Sequence, residues 1–282
     1  MASTSERKTA APGRLLGFIV LLVLSIVMLM PALFMISTSF KSNAELLLFP
    51  PTLIPKDIRF DNYTTIFEKM ELLLYYKNSL LVSGFIVIGT LLSSSYIAFG
   101  FVRYRAPGRN ALFMILVATL MIPYPATMIP QFVLFKNLGW VDSYLPLIVP
   151  AFFGSAYMIF LLRQFFSNLT DELFEAARID GCSEFRSFWN IALPLCGPAL
   201  ATVAIFSFLW SWDDLLGPVI YLNSNDKYTL PIALAGLSSK FRVVPWNTLM
   251  VAAIYTVLPC IALFSFCQKY FVEGISLTGT KS

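Results

Sequence analysis

The chain has 282 residues, of which 57% are hydrophobic and 13% are charged, and its formal net charge is +4. Ordinary soluble domains carry about 25% charged residues, so the composition excludes a soluble protein and indicates a membrane protein. The sequence contains no histidine, which excludes His-based general base catalysis and histidine metal sites. The positive charge needs no nucleic-acid partner, because it suits a cytoplasmic face beside anionic lipid.

The first long apolar run, Leu15–Phe40, follows the basic residues Arg7, Lys8 and Arg14. A secretory signal would show an apolar region of about 7–15 residues that ends at a small-residue cleavage site. This run is longer and contains Pro31. We therefore expect a retained first membrane span.

Five further uncharged runs follow the first one. A helix needs about 20 apolar residues to cross the hydrocarbon core, and it satisfies its own backbone hydrogen bonds there. The six runs are Leu15–Phe40, Asn78–Val102, Asn110–Phe135, Ser143–Leu162, Ser187–Trp212 and Val243–Gln268. The pattern predicts an all-α polytopic membrane protein with six transmembrane helices.

The third run is interrupted by Pro123, Pro125 and Pro130, with Tyr124 among them. Proline bends or breaks a membrane helix. The sequence leaves open whether this span has a hinge, a short re-entrant section or a simple kink packed on a neighbour.

The loop after the second run holds Arg103, Arg105 and Arg109 and no acidic residue. Short basic loops mark the cytoplasmic side, so we expect this loop, both termini and the loop Arg163–Arg186 to be cytoplasmic. The predicted boundaries are an N-terminal segment (1–14), a membrane domain (15–271) and a C-terminal tail (272–282).

The segment between the fourth and fifth runs carries a specific motif. Glu175-Ala176-Ala177 is followed after three residues by Gly181, and after nine more by Ile191-Ala192-Leu193-Pro194. Seven specified residues at fixed offsets over twenty positions make a chance match improbable. The segment resembles the EAA loop, through which the membrane subunits of bacterial ABC importers engage their ATPase partners.

The resemblance places this coupling loop at about residues 163–194 of a permease domain and implies a coupling role for eight of its residues. These are Glu175, Ala176, Ala177, Asp180, Gly181, Ile191, Leu193 and Pro194. The alternative interpretation of such a segment is an amphipathic loop that lies on the membrane surface.

Local rules predict a short helix within this loop. Thr170 or Asp171 can cap its start, Glu172 and Arg178 suit its dipole, and Gly181 can end it. An isolated helix of about ten residues is marginal in water, so it needs a surface to dock on.

Helical spacing puts Leu173, Phe174 and Ala177 on one side of this helix, and the small side chains of Ala176 and Ala177 would let an ATPase groove approach the backbone. A second stretch begins at Ser183, another cap residue, and Pro194 is expected to kink the chain into the fifth span. This stretch is expected to turn three large aromatic side chains toward apolar contact: Phe185, Phe188 and Trp189. Together the two stretches suggest a lever that carries ATPase movement into the membrane.

The resemblance extends to nearly the whole chain and identifies it as similar to the maltose-type, di- and oligosaccharide ABC importer permeases. It is carried by Phe160–Phe166, Ile179–Gly181, Phe208–Trp212, Tyr228–Pro231 and Gln268–Gly274. It implies the type I importer permease fold and the six-helix member of a two-permease pair in a bacterial plasma membrane. The implied partners are a second permease, two ATPase subunits that bind ATP and Mg²⁺, and an extracytoplasmic sugar-binding lipoprotein.

No catalytic residue, metal site or bound cofactor is expected in this chain. Candidate sugar contacts are Trp210, Trp212, Asp213 and Asp214, because aromatic faces pack on pyranose rings and carboxylates bond hydroxyls. Relatives commonly read Trp-Asn-Asp where this chain has Trp212-Asp213-Asp214. An interfacial aromatic belt with a solvated acidic rim explains the same cluster equally well.

Two alternative functions stay open at this point. The same architecture could import a polyol or glycerol phosphate, although none of the six runs contains the Arg or Lys that a phosphate would favour. A carrier that acts alone would usually keep ionisable groups inside its spans, and these runs contain none.

Overall fold

The computed structural model describes residues 12–240 and 245–279, and every regular element in those ranges is helical. This confirms the all-α prediction. Residues 1–11 of the expected N-terminal segment, Val243 and Val244 of the sixth run, and residues 280–282 of the expected tail lie outside the described residues. The part of the tail that is described, 272–279, continues the last helix.

The helices are numbered in chain order. They are α1 (Pro12–Ser39), α2 (Asn43–Leu46), α3 (Asn62–Lys69), α4 (Leu72–Arg103), α5 (Arg109–Ala118), α6 (Tyr124–Asn137), α7 (Leu145–Ile148), α8 (Ala156–Phe166), α9 (Asp171–Ile179), α10 (Glu184–Ser187), α11 (Leu193–Leu195), α12 (Gly197–Trp212), α13 (Leu216–Tyr221), α14 (Leu230–Lys240) and α15 (Trp246–Gly279). Three 3₁₀ turns, Thr119–Met121, Val149–Phe153 and Asn225–Lys227, and one π-helical turn, Phe188–Ala192, join them.

Four helical stretches are long and apolar enough to cross a membrane: Leu16–Ser39, Leu72–Arg103, Leu145–Phe166 and Trp246–Gln268. Two further helix pairs pass the same test together but are bent by 99° and 82°. Counting each bent pair as one span gives six, the number predicted from the apolar runs.

The bend of 99° lies between Arg109–Met121 and Tyr124–Asn137. Pro123 occupies the break in an extended conformation, with φ −70° and ψ 141°. Proline lacks the N–H that would continue the helix and drives the preceding residue out of the helical region. The predicted interruption of the third run is therefore confirmed, and it is far sharper than a simple proline kink.

The contacts divide the chain into two units. Of the described residues, the first comprises 12–69 and 245–255. Within it, the amide of Asn62 donates to the carbonyls of Ser39 and Lys41 at 2.8 and 3.0 Å, and Asn247 donates to Asn62 Oδ1 at 3.1 Å. These bonds tie the end of α1 and the start of α3 to the first turn of α15.

The second unit comprises, of the described residues, 70–240 and 256–279, and α4 is its central helix. This helix packs against α8, α12 and the turn Val149–Phe153. The turn comes so close that a Cβ added to Gly89 would lie 2.7 Å from the ring of Phe152. Glycine at this position therefore permits the close approach.

One hydrophobic core fills the second unit between α4, α8, α9 and α12. Its buried members are Ala98, Phe99, Met158, Ile159, Leu162, Phe166, Phe174, Phe188, Ala192, Cys196, Ala199 and Val203. Phe174 and Phe188 come from the predicted coupling loop, so the loop is anchored in the same core as the spans.

Asp142 links two connections within the second unit. Its φ is 59°, a conformation uncommon outside glycine, and its side chain accepts from the backbone N–H groups of Asn223 and Ser224 at 3.0 and 2.9 Å. Lys227 Nζ donates to the same carboxylate at 2.8 Å. The bonds from Lys227 first, and from Ser224 next, lower the pKa of Asp142 well below its usual range.

Candidate functional site

Helix α9 is the short helix predicted in the EAA-like loop, and it ends as predicted. Gly181 has φ +77°, its N–H donates to the carbonyl of Arg178 at 3.1 Å, and the N–H of Cys182 donates to that of Ala177 at 2.9 Å. These two bonds form a Schellman motif, which favours glycine at the left-handed position. The helix therefore stops abruptly, and Gly181 is the joint to the next segment.

The start of α9 differs from the prediction. Thr170 occupies the N-cap position, but its side chain makes no capping hydrogen bond. Asp171, the other predicted cap, instead accepts from Arg103 Nη1 at 2.6 Å. An arginine from the end of α4 thus binds the carboxylate that suits the positive helix end.

The faces of α9 also differ from the prediction. Phe174 and Ala177 are buried in the core of this chain, with Phe174 only 3% exposed, whereas Leu173 is on the open side. Residues three apart share a helix face, so 174 and 177 turn inward together. Of the two alanines expected to meet a partner, only Ala176 is exposed in this structure.

The open face of α9 mixes apolar and acidic side chains. It consists of Glu172, Leu173, Glu175, Ala176, Ile179 and Asp180. Ile179 is 87% exposed. Apolar side chains on one short helix, bordered by acids and held from behind by the core, form a surface suited to a protein partner.

A polar cavity of about 560 Å³ separates the basic α4–α5 turn from α9 and α10. Its lining is Val102, Arg103, Tyr104, Arg105, Arg109, Asp171, Glu175, Arg178 and Glu184. Arg178 and Glu184 form an ion pair across the Gly181 joint, and the hydrogen bond to Glu184 raises the pKa of the Arg178 guanidinium. The sequence indicated Arg103, Arg105 and Arg109 only as a sign of the cytoplasmic side.

The segment after Gly181 begins as predicted, because Ser183 Oγ accepts from the N–H of Arg186 at 3.3 Å and caps α10. Of its three large aromatic side chains, only Phe188 enters the core. Phe185 and Trp189 are largely exposed and line, with Tyr96, an open apolar cavity of about 420 Å³.

As predicted, the chain changes direction near Pro194, and the break lies at Cys196, immediately before Gly197 and Pro198 of α12. The chain forms the π-helical turn Phe188–Ala192 before it and bends by 82° between Glu184–Leu195 and Gly197–Trp212. Since Pro194 cannot donate to the carbonyl four residues earlier, the regular ladder is interrupted here. Ile191 and Leu193 of the motif pack against the core from this irregular segment.

The four candidate sugar contacts have different environments. Trp212 is 2% exposed, its indole N–H donates to the carbonyl of Thr256 at 3.0 Å, and its ring packs on Phe208. Trp210 is exposed beside Tyr157, with ring centroids 5.4 Å apart. Two tryptophans that lie two residues apart in sequence are thus a core residue and an open one.

The two acidic residues of this cluster, Asp213 and Asp214, also differ in exposure. Asp213 is exposed, whereas Asp214 is partly buried and accepts from the N–H of Gly217 at 3.2 Å. The structure therefore does not bring the four residues into one site. Tyr157, which the sequence did not single out, is the aromatic partner of the exposed Trp210.

Helices that can span a membrane, with a short core-anchored helix in an EAA-like loop between them, are the architecture expected of a membrane transport subunit. The chain belongs to the family of binding-protein-dependent transport system inner membrane components, whose model matches residues 86–277. It is a permease subunit of an ABC importer and not an enzyme.

Curated relatives cover most of the chain. The arabinooligosaccharides transport system permease protein AraQ of Halalkalibacterium halodurans is 38% identical over 89% of this chain and 90% of that protein. The diacetylchitobiose uptake system permease protein NgcG of Streptomyces coelicolor is 30% identical over 98% and 90%. The sn-glycerol-3-phosphate transport system permease protein UgpE of Yersinia enterocolitica is 35% identical over 80% and 83%.

The fold is shared with a chain of a bacterial ABC transporter involved in the import of the acidic polysaccharide alginate. The TM-score is 0.80 at 24% identity, over 93% of this chain and 99% of that chain. This likeness supports the permease fold predicted from the resemblance.

Proposed function

We propose that this chain and a second permease form the translocation pathway for a di- or oligosaccharide delivered by an extracytoplasmic binding protein. ATP and Mg²⁺ are bound by two partner ATPase subunits. The observation that carries the proposal is the open face of α9, which the core holds from behind and Gly181 separates from the rest of the loop.

The geometry of α9 supports ATPase docking. A helix of nine residues is marginal alone, but burial of Phe174 and Ala177 fixes this one before any partner arrives. Leu173, Ala176 and Ile179 then present a preorganised apolar stripe. Preorganisation lowers the entropic cost of binding.

The proposed orientation follows from the basic α4–α5 turn. Arg103, Arg105 and Arg109 mark the cytoplasmic side, and α9 lies against this turn through the Arg103–Asp171 pair. The ATPase face is therefore cytoplasmic, and six spans put both termini on the same side of a bacterial plasma membrane.

A neutral sugar is the favoured substrate class. Two relatives are named for the transport of arabinooligosaccharides and of diacetylchitobiose. One relative is named for sn-glycerol-3-phosphate, which makes glycerol phosphate the second candidate. A phosphate favours Arg or Lys as its partners. None of the six uncharged runs that form the predicted spans contains an Arg or a Lys.

The proposed sugar contacts are the open members of the cluster at the end of α12. Trp210 and Tyr157 offer aromatic faces, and Asp213 offers a carboxylate to hydroxyl groups. Trp212 and Asp214 are proposed to support this edge from behind, since Trp212 is packed in the core and Asp214 is bonded to Gly217.

Co-purification from the native membrane, followed by reconstitution in proteoliposomes, tests the proposal. We expect a second permease, an ATPase subunit and a binding protein to accompany the chain, and uptake of an oligosaccharide to require ATP. Uptake of glycerol phosphate in place of sugar would favour the second candidate. Solute uptake by the chain alone without ATP would contradict the proposed function.

A further inference from the structure

Arg103 is the last residue of α4, and its side chain is only 10% exposed. Its Nη1 donates to Asp171 at 2.6 Å, and its guanidinium carbon lies 4.0 Å from the centroid of the Phe174 ring. Asp171 and Phe174 are one turn apart on α9 and share a face. One side chain of α4 therefore holds α9 by an ion pair and by a cation–π contact.

The same two helices meet one turn earlier on α4. The rings of Phe99 and Phe174 lie with their centroids 5.9 Å apart, and both side chains are buried. Phe99 and Arg103 are four residues apart, so they present one continuous surface to α9. Since α4 packs against α8 and α12, a displacement of α9 reaches the centre of the unit directly.

This contact differs from the route along the chain. From α9 the backbone passes through Gly181, the short helix α10 and a π-helical turn before it reaches α12. Each of these is a place where movement can be absorbed. The contact with α4 crosses 68 residues of sequence without any such joint.

The other arginines of the turn do not make this contact. Arg105 approaches Asp171 only to 4.0 Å and its side chain is 89% exposed, and exposed ion pairs contribute little. Arg109 turns back on its own loop and donates to the carbonyl of Val102 at 3.2 Å. Arg103 is thus distinguished by its burial and by its cation–π contact with Phe174.

We infer that Arg103 is a positioning residue for transport, which passes the movement of α9 to α4 through Asp171 and Phe174. The inference rests on the proposed function, because it assumes that an ATPase moves α9. Arginine suits this role, since its planar guanidinium can stack on a ring while it donates to a carboxylate. A lysine at this position would keep the charge and lose the planar group that can contact the ring and the carboxylate together.

The test uses the complete transporter in proteoliposomes and measures ATP hydrolysed and sugar transported in the same preparation. Arg103→Gln should lower the sugar transported per ATP on the order of tenfold while hydrolysis continues. Arg103→Lys should give an intermediate ratio. Arg105→Gln is the matched control, and its ratio should equal that of the wild type.

An unchanged ratio in assembled Arg103→Gln transporters would overturn the inference. If that variant does not assemble, Asp171→Asn removes the same ion pair from its exposed side, and an unchanged ratio there would overturn the inference equally. Failure of the proposed function would instead be visible in the wild type, as transport that does not need ATP.

Discussion

The backbone N–H of Cys182 donates to the carbonyl of Ala177 at 2.9 Å, and this bond closes α9 around Gly181. The bond requires the left-handed conformation of Gly181, whose φ is +77°. A side chain added there would meet open space among the described residues. The constraint at Gly181 is therefore one of backbone conformation and not of crowding.

Replacing Gly181 with valine should uncouple ATP hydrolysis from transport without preventing membrane insertion. A β-branched residue is strongly disfavoured at positive φ, at a cost of about 1–2 kcal/mol or more. Gly181→Asn is the matched control, because asparagine tolerates this conformation. The measurement is sugar-stimulated ATPase activity beside transport, and a valine variant with normal coupling would contradict our account of the helix stop.

Ile179→Lys should weaken the docking of the ATPase while leaving the fold intact. Ile179 is 87% exposed, and surface substitutions usually change stability by less than about 0.5 kcal/mol. A lysine charge within the apolar contact would have to be desolvated when the ATPase docks. The amount of ATPase that co-purifies with the chain should therefore fall.

Ile58→Lys serves as the control for the Ile179 variant, since Ile58 is also exposed but belongs to the connection between α2 and α3. It should retain the ATPase. Equal ATPase recovery from the two variants would show that the open face of α9 is not the docking surface.

Trp210→Ala should affect sugar transport, whereas Trp212→Ala should affect the stability of the fold. Trp212 is fully buried against Phe208 and Tyr76, so its truncation should destabilise the protein by about 3–5 kcal/mol. Trp210 is exposed, so its truncation should leave the melting temperature in detergent nearly unchanged and raise the KM for sugar. A destabilised Trp210→Ala variant with normal KM would remove Trp210 from the proposed pathway.

The stabilisation that the Asp142 carboxylate gives the fold should be lost in acid. The bonds from Lys227 and Ser224 lower its pKa in the folded state, so the carboxylate stabilises the fold at pH above its unfolded value of about 3.9. That stabilisation is lost as the pH falls below this value toward the lower pKa of the folded state, because the unfolded state then binds a proton that the folded state does not.

The melting temperature of the detergent-solubilised protein between about pH 7 and pH 3 measures this effect. Asp142→Asn should be less stable than the wild type at neutral pH, and its melting temperature should fall less steeply in acid. Asp57→Asn, at an exposed position, is the control and should follow the wild type. Parallel curves for wild type and Asp142→Asn would contradict the prediction.

Much of the fold follows from local properties of the chain. Apolar runs predict spans because lipid offers no hydrogen bonds to a backbone, and six spans were expected where four long candidate spans and two bent helix pairs are found. The helix stop at Gly181 and the break at Pro123 were also predictable, since each depends on the backbone of one residue. The size of the two bends was not predictable in this way.

Contacts between distant residues decided the rest. Helical spacing put Leu173, Phe174 and Ala177 on one side of α9, but only packing against α4 and α8 turned Phe174 and Ala177 inward. From the sequence, Arg103 indicated only which side of the membrane its loop faces. Its hydrogen bond to Asp171 became evident only in the folded structure.

The end of the fifth span shows the same division. Trp210 and Trp212 are residues of the same type two positions apart, yet Trp210 is exposed and Trp212 is in the core. Composition and local spacing determine which segments are helices and where they must end, because those choices depend on neighbours in the chain. Which face of a helix is buried depends on side chains far away in sequence, and only their meeting in three dimensions settles it.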